Sequence, residues 1–368
     1  MIVTSCLAFL DYVNTDLTLS LPNQARKRNK LENIDIDRLS NLPDSLIHHI
    51  LSLLDTKSAV QYSIISKTWR NHWQNTTSLD FDHANFQTRT GFGKFVRHVL
   101  RFRRPFKLSK LRFYSGYKRN LSLIDATFKY AKSHGVEELG TDLSDFPPSF
   151  LDCQTLKSLT VGPLTRSLYC VIRSHPPNSF TFSSLTTLQL YYVSFDFENG
   201  YDFFSSFFNL EKLLIIDCFL LRFMVFKISA PRLVNLTISN LRFFTDHTEL
   251  VISSPKLRFF SFEGIYPLLP LNVEDCPILE MVKICLYCPN FEEENTYYYN
   301  GYLISASEKL SHASSCNILL NFPHQPTLFT LERYSHSRFI KITKVEKEGG
   351  CIFYYYMNPS LFNIGRGT

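Results

Sequence analysis

The chain has 368 residues, 45% hydrophobic and 20% charged, so it can bury a core and is not a disordered polymer. Its 33 Phe and 19 Tyr favour sheet-rich packing with bulky fillers. A net charge of +6 is modest, and no run of basic residues carries the aromatic interleaving of a single-strand nucleic-acid platform, so no nucleic-acid partner is expected.

Residues 1–36 read as a flexible tail. The opening MIVTSCLAFL is apolar, but no basic residue precedes it and Asp11 cuts it short, so it does not read as a secretory signal. No apolar run approaches the roughly 18 residues of a membrane span, and no membrane partner is expected. Arg26 to Lys30 (RKRNK) is either a nuclear import signal or an ordinary solvated tail. The nine cysteines are odd in number and scattered, which argues against a disulfide framework and for a reducing cytoplasmic or nuclear compartment.

Residues 37–76 read as three short helices. Pro43 suits a first helical turn, and Asp44 suits the positive end of the helix dipole. Leu46, Ile47, Ile50, Leu51, Leu53 and Leu54 then recur at helical spacing and form a wide apolar face. Asp55-Thr56 caps a second helix carrying Val60, Ile64 and Ile65. Ser66 caps a third, with Trp69 and Trp73 on one face. So small a unit cannot bury this face alone and needs a partner or an adjoining domain. The candidate contact residues are Leu42, Pro43, Ile47, Ile50, Leu51, Trp69 and Trp73, some exposed and some supporting from within.

Residues 77–290 change period. Leu79-Asp80-Phe81 reads as a first strand, with further copies at Leu108 (with Leu111 and Phe113) and Val136 (with Leu139). Between Arg97 and Arg119 stand nine Lys or Arg and no acidic residue. Such a run ordinarily solvates a surface, here with Phe102, Phe106, Leu108, Leu111 and Phe113 packed beneath. A clear template follows: apolar residues at the first, fourth, sixth and ninth positions. It fits Leu156, Leu159, Val161, Leu164; Leu185, Leu188, Leu190, Val193; and Leu210, Leu213, Ile215, Cys218. It continues at Leu233, Leu236, Ile238, Leu241; Leu257, Phe260, Phe262, Ile265; and Leu279, Val282, Ile284, Tyr287. The first positions lie 29, 25, 23, 24 and 22 residues apart, the period of a leucine-rich repeat with one strand per turn. Stacked turns share a core beneath a curved parallel sheet. Alternation along the strands puts Tyr191, Leu214, Ile216, Phe259 and Met281 on the outer sheet face, as an apolar strip suited to a protein substrate.

Residues 291–368 lose the register and read as an irregular repeat or cap, with strand-like runs at 317–321 and 339–345. Cys285 and Cys288 have metal-ligand spacing but no second pair, so a reduced structural thiol pair is the reading, with no metal and no cofactor. His48 and His49 diverge by about 100° on a helix and read as surface or partner-facing residues. The sequence offers no catalytic constellation.

Residues 37–73 closely resemble the F-box of plant F-box/leucine-rich-repeat proteins. The resemblance rests on Leu39, Leu42-Pro43-Asp44, Ile50-Leu51, Leu54, Ala59-Val60, Ser66-Lys67, Trp69-Arg70 and Trp73. Thr68 departs from the pattern, where a basic residue is usual, and Ile64-Ile65 stands in for the commoner Val-Leu. The resemblance implies an α/β fold: a three-helix F-box followed by an α/β leucine-rich-repeat solenoid. It implies a non-catalytic substrate-recognition subunit of an SCF-type (Skp–cullin–F-box) ubiquitin ligase. The F-box would bind a Skp-type adaptor, and through it cullin and a RING subunit, while the repeats hold an unknown protein to be ubiquitinated. The alternative is an adaptor-bound scaffold or regulatory module without a ligase role.

Overall fold

A computed structural model of the chain describes residues 42–63, 69–116, 120–143, 146–163, 170–173, 182–196, 202–221, 225–243, 248–265, 270–287, 309–310, 313–322, 340–347 and 350–357, those from 317 onward by backbone alone. The basic cluster at 26–30, the Ile64–Thr68 segment, Leu164, Lys118, Arg119 and Cys288 lie outside the described residues. The fold is F-box helices followed by parallel-sheet leucine-rich repeats. It divides into two compact units, one ending at Asp142 and the other beginning at Leu143.

In the first unit, α1 (Asp44–Ser52) follows Pro43, whose ψ of 144° sets it just outside the helix as the capping residue. Asp55 caps α2 (Thr56–Tyr62), its carboxylate accepting from Ser58 N–H as expected from the sequence. The third helix is a 3-10 helix, Trp69–Asn75, with both tryptophans buried. Three parallel strands follow: β1 (Ser78–Asp82), β2 (Lys110–Tyr114) and β3 (Glu138–Thr141). Two helices, not anticipated from the sequence, cross between them: α3 (Arg89–Phe102) and α4 (Leu121–Ser133). Thr88 caps α3 by accepting from Gly91 N–H, and Asn120 caps α4 by accepting from Leu123 N–H. The helical unit is tied to this sheet, since Asp80 N–H donates to the buried Thr56 hydroxyl at 2.7 Å.

The basic run from Arg97 is not a uniform solvated face. Arg103 is buried, and Lys107, Lys110 and Arg112 pair with Glu137, Glu138 and Asp80. Leu108, Leu111 and Phe113 are buried beneath it, Phe102 is half-buried, and Phe106 is exposed, its carbonyl accepting from Arg103.

In the second unit the long parallel ladder runs β4 (Ser158–Val161), β6 (Thr187–Tyr191), β8 (Lys212–Ile216), β11 (Asn235–Ser239), β14 (Phe259–Ile265), β16 (Met281–Tyr287) and β17 (Ser315–Phe322). The strands between them form two smaller parallel sheets. One holds β5 (Cys170–Arg173), β7 (Val193–Asp196), β9 (Phe219–Leu220) and β12 (Arg242–Phe243). The other holds β10 (Val225–Ile228), β13 (Glu249–Ser253) and β15 (Leu271–Glu274). Pairing is in register turn after turn, Leu188↔Leu213↔Leu236↔Phe260↔Val282, and these side chains are buried. Between the described ladder strands the chain returns through short strands and a 3-10 turn, Phe203–Ser206, rather than a long helix such as α3.

Among the described residues, two template positions are not buried. Ile265 is 55% exposed and Tyr287 42% exposed. In the earlier turns the chain leaves the ladder at a residue of positive φ: Tyr192 (52°), Asp217 (53°) and Asn240 (51°). That corner swings Val193, Cys218 and Leu241 into the core. β14 and β16 lack this corner and run straight for 7 residues each, so Ile265 and Tyr287 stay on the outer face. The region past 290 also regains the register. β17 continues the parallel ladder with Met281↔Ser315, and an antiparallel hairpin, β18 (Ile340–Lys347) and β19 (Gly350–Met357), closes it through β17–β19 pairing.

Candidate functional site

The first candidate surface lies on α1. Its apolar residues divide into two adjacent stripes, because neighbouring positions point about 100° apart. Ile47 and Leu51 face inward and are buried with Trp69 and Trp73. Leu46, Ile50 and Leu53 stand at i, i+4 and i+7 and make the outer stripe, with Leu46 48% and Leu53 74% exposed and Ile50 half-buried. Pro43 is exposed and Leu42 half-buried just ahead of it. Of the seven residues proposed from the sequence, Ile47, Leu51, Trp69 and Trp73 therefore support the surface from within. Leu42, Pro43 and Ile50 reach it. Leu46 and Leu53 are the members that sequence reasoning did not select. Their signal was in the helical spacing, but spacing alone does not say which of two adjacent stripes faces the core.

Beside the stripe, His48 is half-buried and its Nε2 meets Nδ1 of His72 at 3.1 Å, the rings crossing edge to face. His72 Nε2 lies 3.7 Å from Asp44 Oδ1. This chain of three polar side chains joins the start of α1 to the 3-10 helix. His49 is exposed. The pair thus separates into one structural and one surface histidine.

The second candidate surface is the outer face of the long ladder. Tyr191, Leu214, Ile216, Phe259 and Met281 do project outward, but they do not form one strip. Tyr191↔Ile216 and Gln189↔Leu214 lie on β6 and β8, and β11 then interposes Asn235, Thr237 and Ser239. Tyr191, Leu214 and Ile216 are half-buried, and the Tyr191 hydroxyl donates to Gln189 at 3.0 Å. The more exposed patch lies beyond, on β14 and β16. Phe259 pairs with Met281, and Ile265 pairs with Tyr287 at the other end of the same two strands. Arg258 bridges the rim, ion-paired to Glu280 at 2.6 Å with its guanidinium over the Phe259 ring. Glu263 and Lys283 lie between the two apolar pairs. Cys285 sits in the same stretch, and burial pushes its thiol pKa up, which disfavours the thiolate a metal would need. Among the described residues, no three His, Cys, Asp or Glu side chains gather as metal ligands.

Residues 39–80 match the F-box domain family. The chain is 31% identical over 256 residues to F-box/LRR-repeat protein At3g26922 of Arabidopsis thaliana, covering 67% of this chain and 81% of that protein. It is 29% identical over 238 residues to FBD-associated F-box protein At1g60410 of the same plant, and 27% identical over 190 residues to F-box/LRR-repeat protein At5g02910. The alignments cover 61% and 50% of this chain, and 57% and 39% of those two proteins. F-box helices with an exposed apolar stripe, leading into stacked parallel repeats, define an F-box protein of the substrate-recognition type. Within that class the chain belongs to the plant F-box/leucine-rich-repeat family.

Proposed function

We propose that this chain is the substrate-recognition subunit of an SCF-type ubiquitin ligase, non-catalytic itself, bound to a Skp-type adaptor through α1 and to a target protein through β14 and β16. The observation that carries the reading is the outer stripe of α1. Leu46, Ile50 and Leu53 are aligned apolar side chains that the chain's own core leaves open. Burying such a Leu against a partner contributes about 2 kcal/mol. The ligase chemistry takes place on the other subunits, and the receptor raises the effective concentration of target lysines near them.

Co-purification of a recombinant Skp-type adaptor and cullin with the full chain tests this. The double variant Leu46→Asp/Leu53→Asp is expected to lose adaptor capture by roughly 100-fold or more, while its folded far-UV and melting signals persist. Undiminished capture refutes the α1 surface. Adaptor capture without any cullin favours the scaffold alternative. In a second arm, Phe259→Asp/Met281→Asp is expected to lose the target recovered when the proteasome is blocked, while the adaptor stays bound.

A further inference from the structure

The outer face of β14 and β16, the proposed target-binding surface, carries a regular pattern along the strands. In-register pairing sets its side chains in rows, two residues apart. The first row is Phe259 and Met281, the second Ser261 and Lys283, the third Glu263 and Cys285, and the fourth Ile265 and Tyr287. The two end rows are apolar and exposed. The two middle rows each hold one exposed charge, Lys283 and then Glu263. Neither of these side chains has an ion-pair partner among the described residues, unlike Arg258 and Glu280 at the rim. An apolar row, a cation, an anion and a second apolar row thus follow one another at steps of about 6.6 Å.

A ligand that complements this face places apolar groups about 20 Å apart, with an acidic group over Lys283 and a basic group over Glu263. Backbone conformation decides whether a polypeptide can keep that step. In an extended segment the residues on one side recur every second position, again about 6.6 Å apart, so positions one, three, five and seven fall over the four rows. On one side of an α-helix side chains recur about every 5.4 Å, so the fourth lies near 16 Å, about 4 Å short of the last row. The flank favours the extended form as well. β11 lies beside β14 and presents Asn235, Thr237 and Ser239 on the same outer face, opposite Phe259, Ser261 and Glu263. A strand-like backbone turns a row of N–H and C=O groups to its side, and these three polar side chains recur at the matching interval.

Resting on the target-binding reading of β14 and β16, we infer that the target is held there as an extended segment of about seven residues. Its first and seventh side chains are apolar and cover the end rows, and its third and fifth are one acidic and one basic residue. The charges fix the register, because a slip of one row in either direction sets like charges together.

Three capped seven-residue peptides are the probes, each with tryptophan at both ends and serine at positions two, four and six. Positions three and five hold one aspartate and one lysine, two aspartates, or two lysines. Titrated into the full chain and followed by fluorescence anisotropy, the mixed peptide is expected to bind saturably at or below millimolar concentration, about fivefold tighter than either like-charged peptide. Lys283→Glu is expected to transfer the preference to the two-lysine peptide, and Glu263→Lys to the two-aspartate peptide. Both side chains are exposed, so the melting curves are expected to stay as in the wild type. Phe259→Asp/Met281→Asp and Ile265→Asp/Tyr287→Asp are each expected to weaken the mixed peptide by about tenfold or more, since both ends are engaged. Adding one serine at the middle of the mixed peptide turns its far end to the other side, with a similar loss expected. Absence of saturable binding, dependence on one end row alone, equal binding of the lengthened peptide, or a charge preference that neither Lys283→Glu nor Glu263→Lys moves overturns the extended form. If the mixed peptide fails while Phe259→Asp/Met281→Asp still loses the target recovered with the proteasome blocked, the target-binding reading stands and the extended form falls. If target recovery is unaffected by that variant, both fall.

Discussion

Arg103 donates through all three guanidinium nitrogens while buried. Nε and Nη2 meet the Thr76 carbonyl at 3.2 and 2.7 Å, Nη2 also meets the Lys107 carbonyl, and Nη1 meets the Phe106 carbonyl and the Tyr130 hydroxyl. One side chain thus fastens the end of the 3-10 helix, the turn before β2 and the last part of α4. Its planar fork suits this task in a way an ammonium does not. Arg103→Lys is therefore expected to cost on the order of 2–3 kcal/mol, because buried carbonyls are left unpaired at about 1–3 kcal/mol each. A urea midpoint within error of wild type would show that the carbonyls find other partners. The sequence placed Arg103 in a run of like charges and nothing singled it out. Which member of such a run turns inward is decided by distant carbonyls, and those are brought near only by the fold.

At the scale of elements, the corner that follows β6, β8 and β11 decides what the next residue does. Asn240 adopts φ 51°, donates N–H to the Glu263 carbonyl at 2.7 Å, and hydrogen-bonds Asp217 at the neighbouring corner. Asn and Asp tolerate this left-handed geometry, whereas a β-branched residue does not. Asn240→Val is expected to cost about 1–3 kcal/mol, and Asn240→Gly much less. A thermal melt that ranks the two in the opposite order would refute the strain argument. Strand positions were legible in the sequence because the apolar spacing is rigid, Leu213 to Leu236 to Phe260. The corners were not, since only φ distinguishes the straight course at Ile265 and Tyr287 from the turn at Val193. The two helices α3 and α4 were also missed, although Phe92, Phe95, Val96 and Val99 stand at helical spacing and Thr88 and Asn120 are capping residues. Gly91, Gly93 and the basic residues Lys94 and Arg97 masked that period in α3. On α1 the spacing revealed an apolar face, and left open which stripe, Ile47 and Leu51 or Leu46 and Leu53, is turned to the core.

Across the whole molecule, stability is shared along each unit rather than held in one centre, because every inner ladder strand packs against its two neighbours. Leu236 shows the consequence. It is buried on β11, with Leu213 on one side and Phe260 on the other, and all three belong to the second unit. Leu236→Ala removes the side chain from a stack whose backbone hydrogen bonds keep β8 and β14 in place, so the gap can collapse only partly. The expected loss is about 2–5 kcal/mol, from transfer energy and the cavity together. The damage is expected to spread by nearest-neighbour coupling. Amide hydrogen exchange should quicken first in β11, then in β8 and β14, and least in β4. In the first unit, the amides of β1 and β2, whose core is formed by Leu79, Phe81, Leu111 and Phe113, should keep their protection. Acceleration confined to β11 would mean that the turns are energetically independent. Equal acceleration in β1 and β2 would mean that the two units unfold as one. Either outcome would replace the nearest-neighbour account, and the graded pattern centred on β11 is the one it requires.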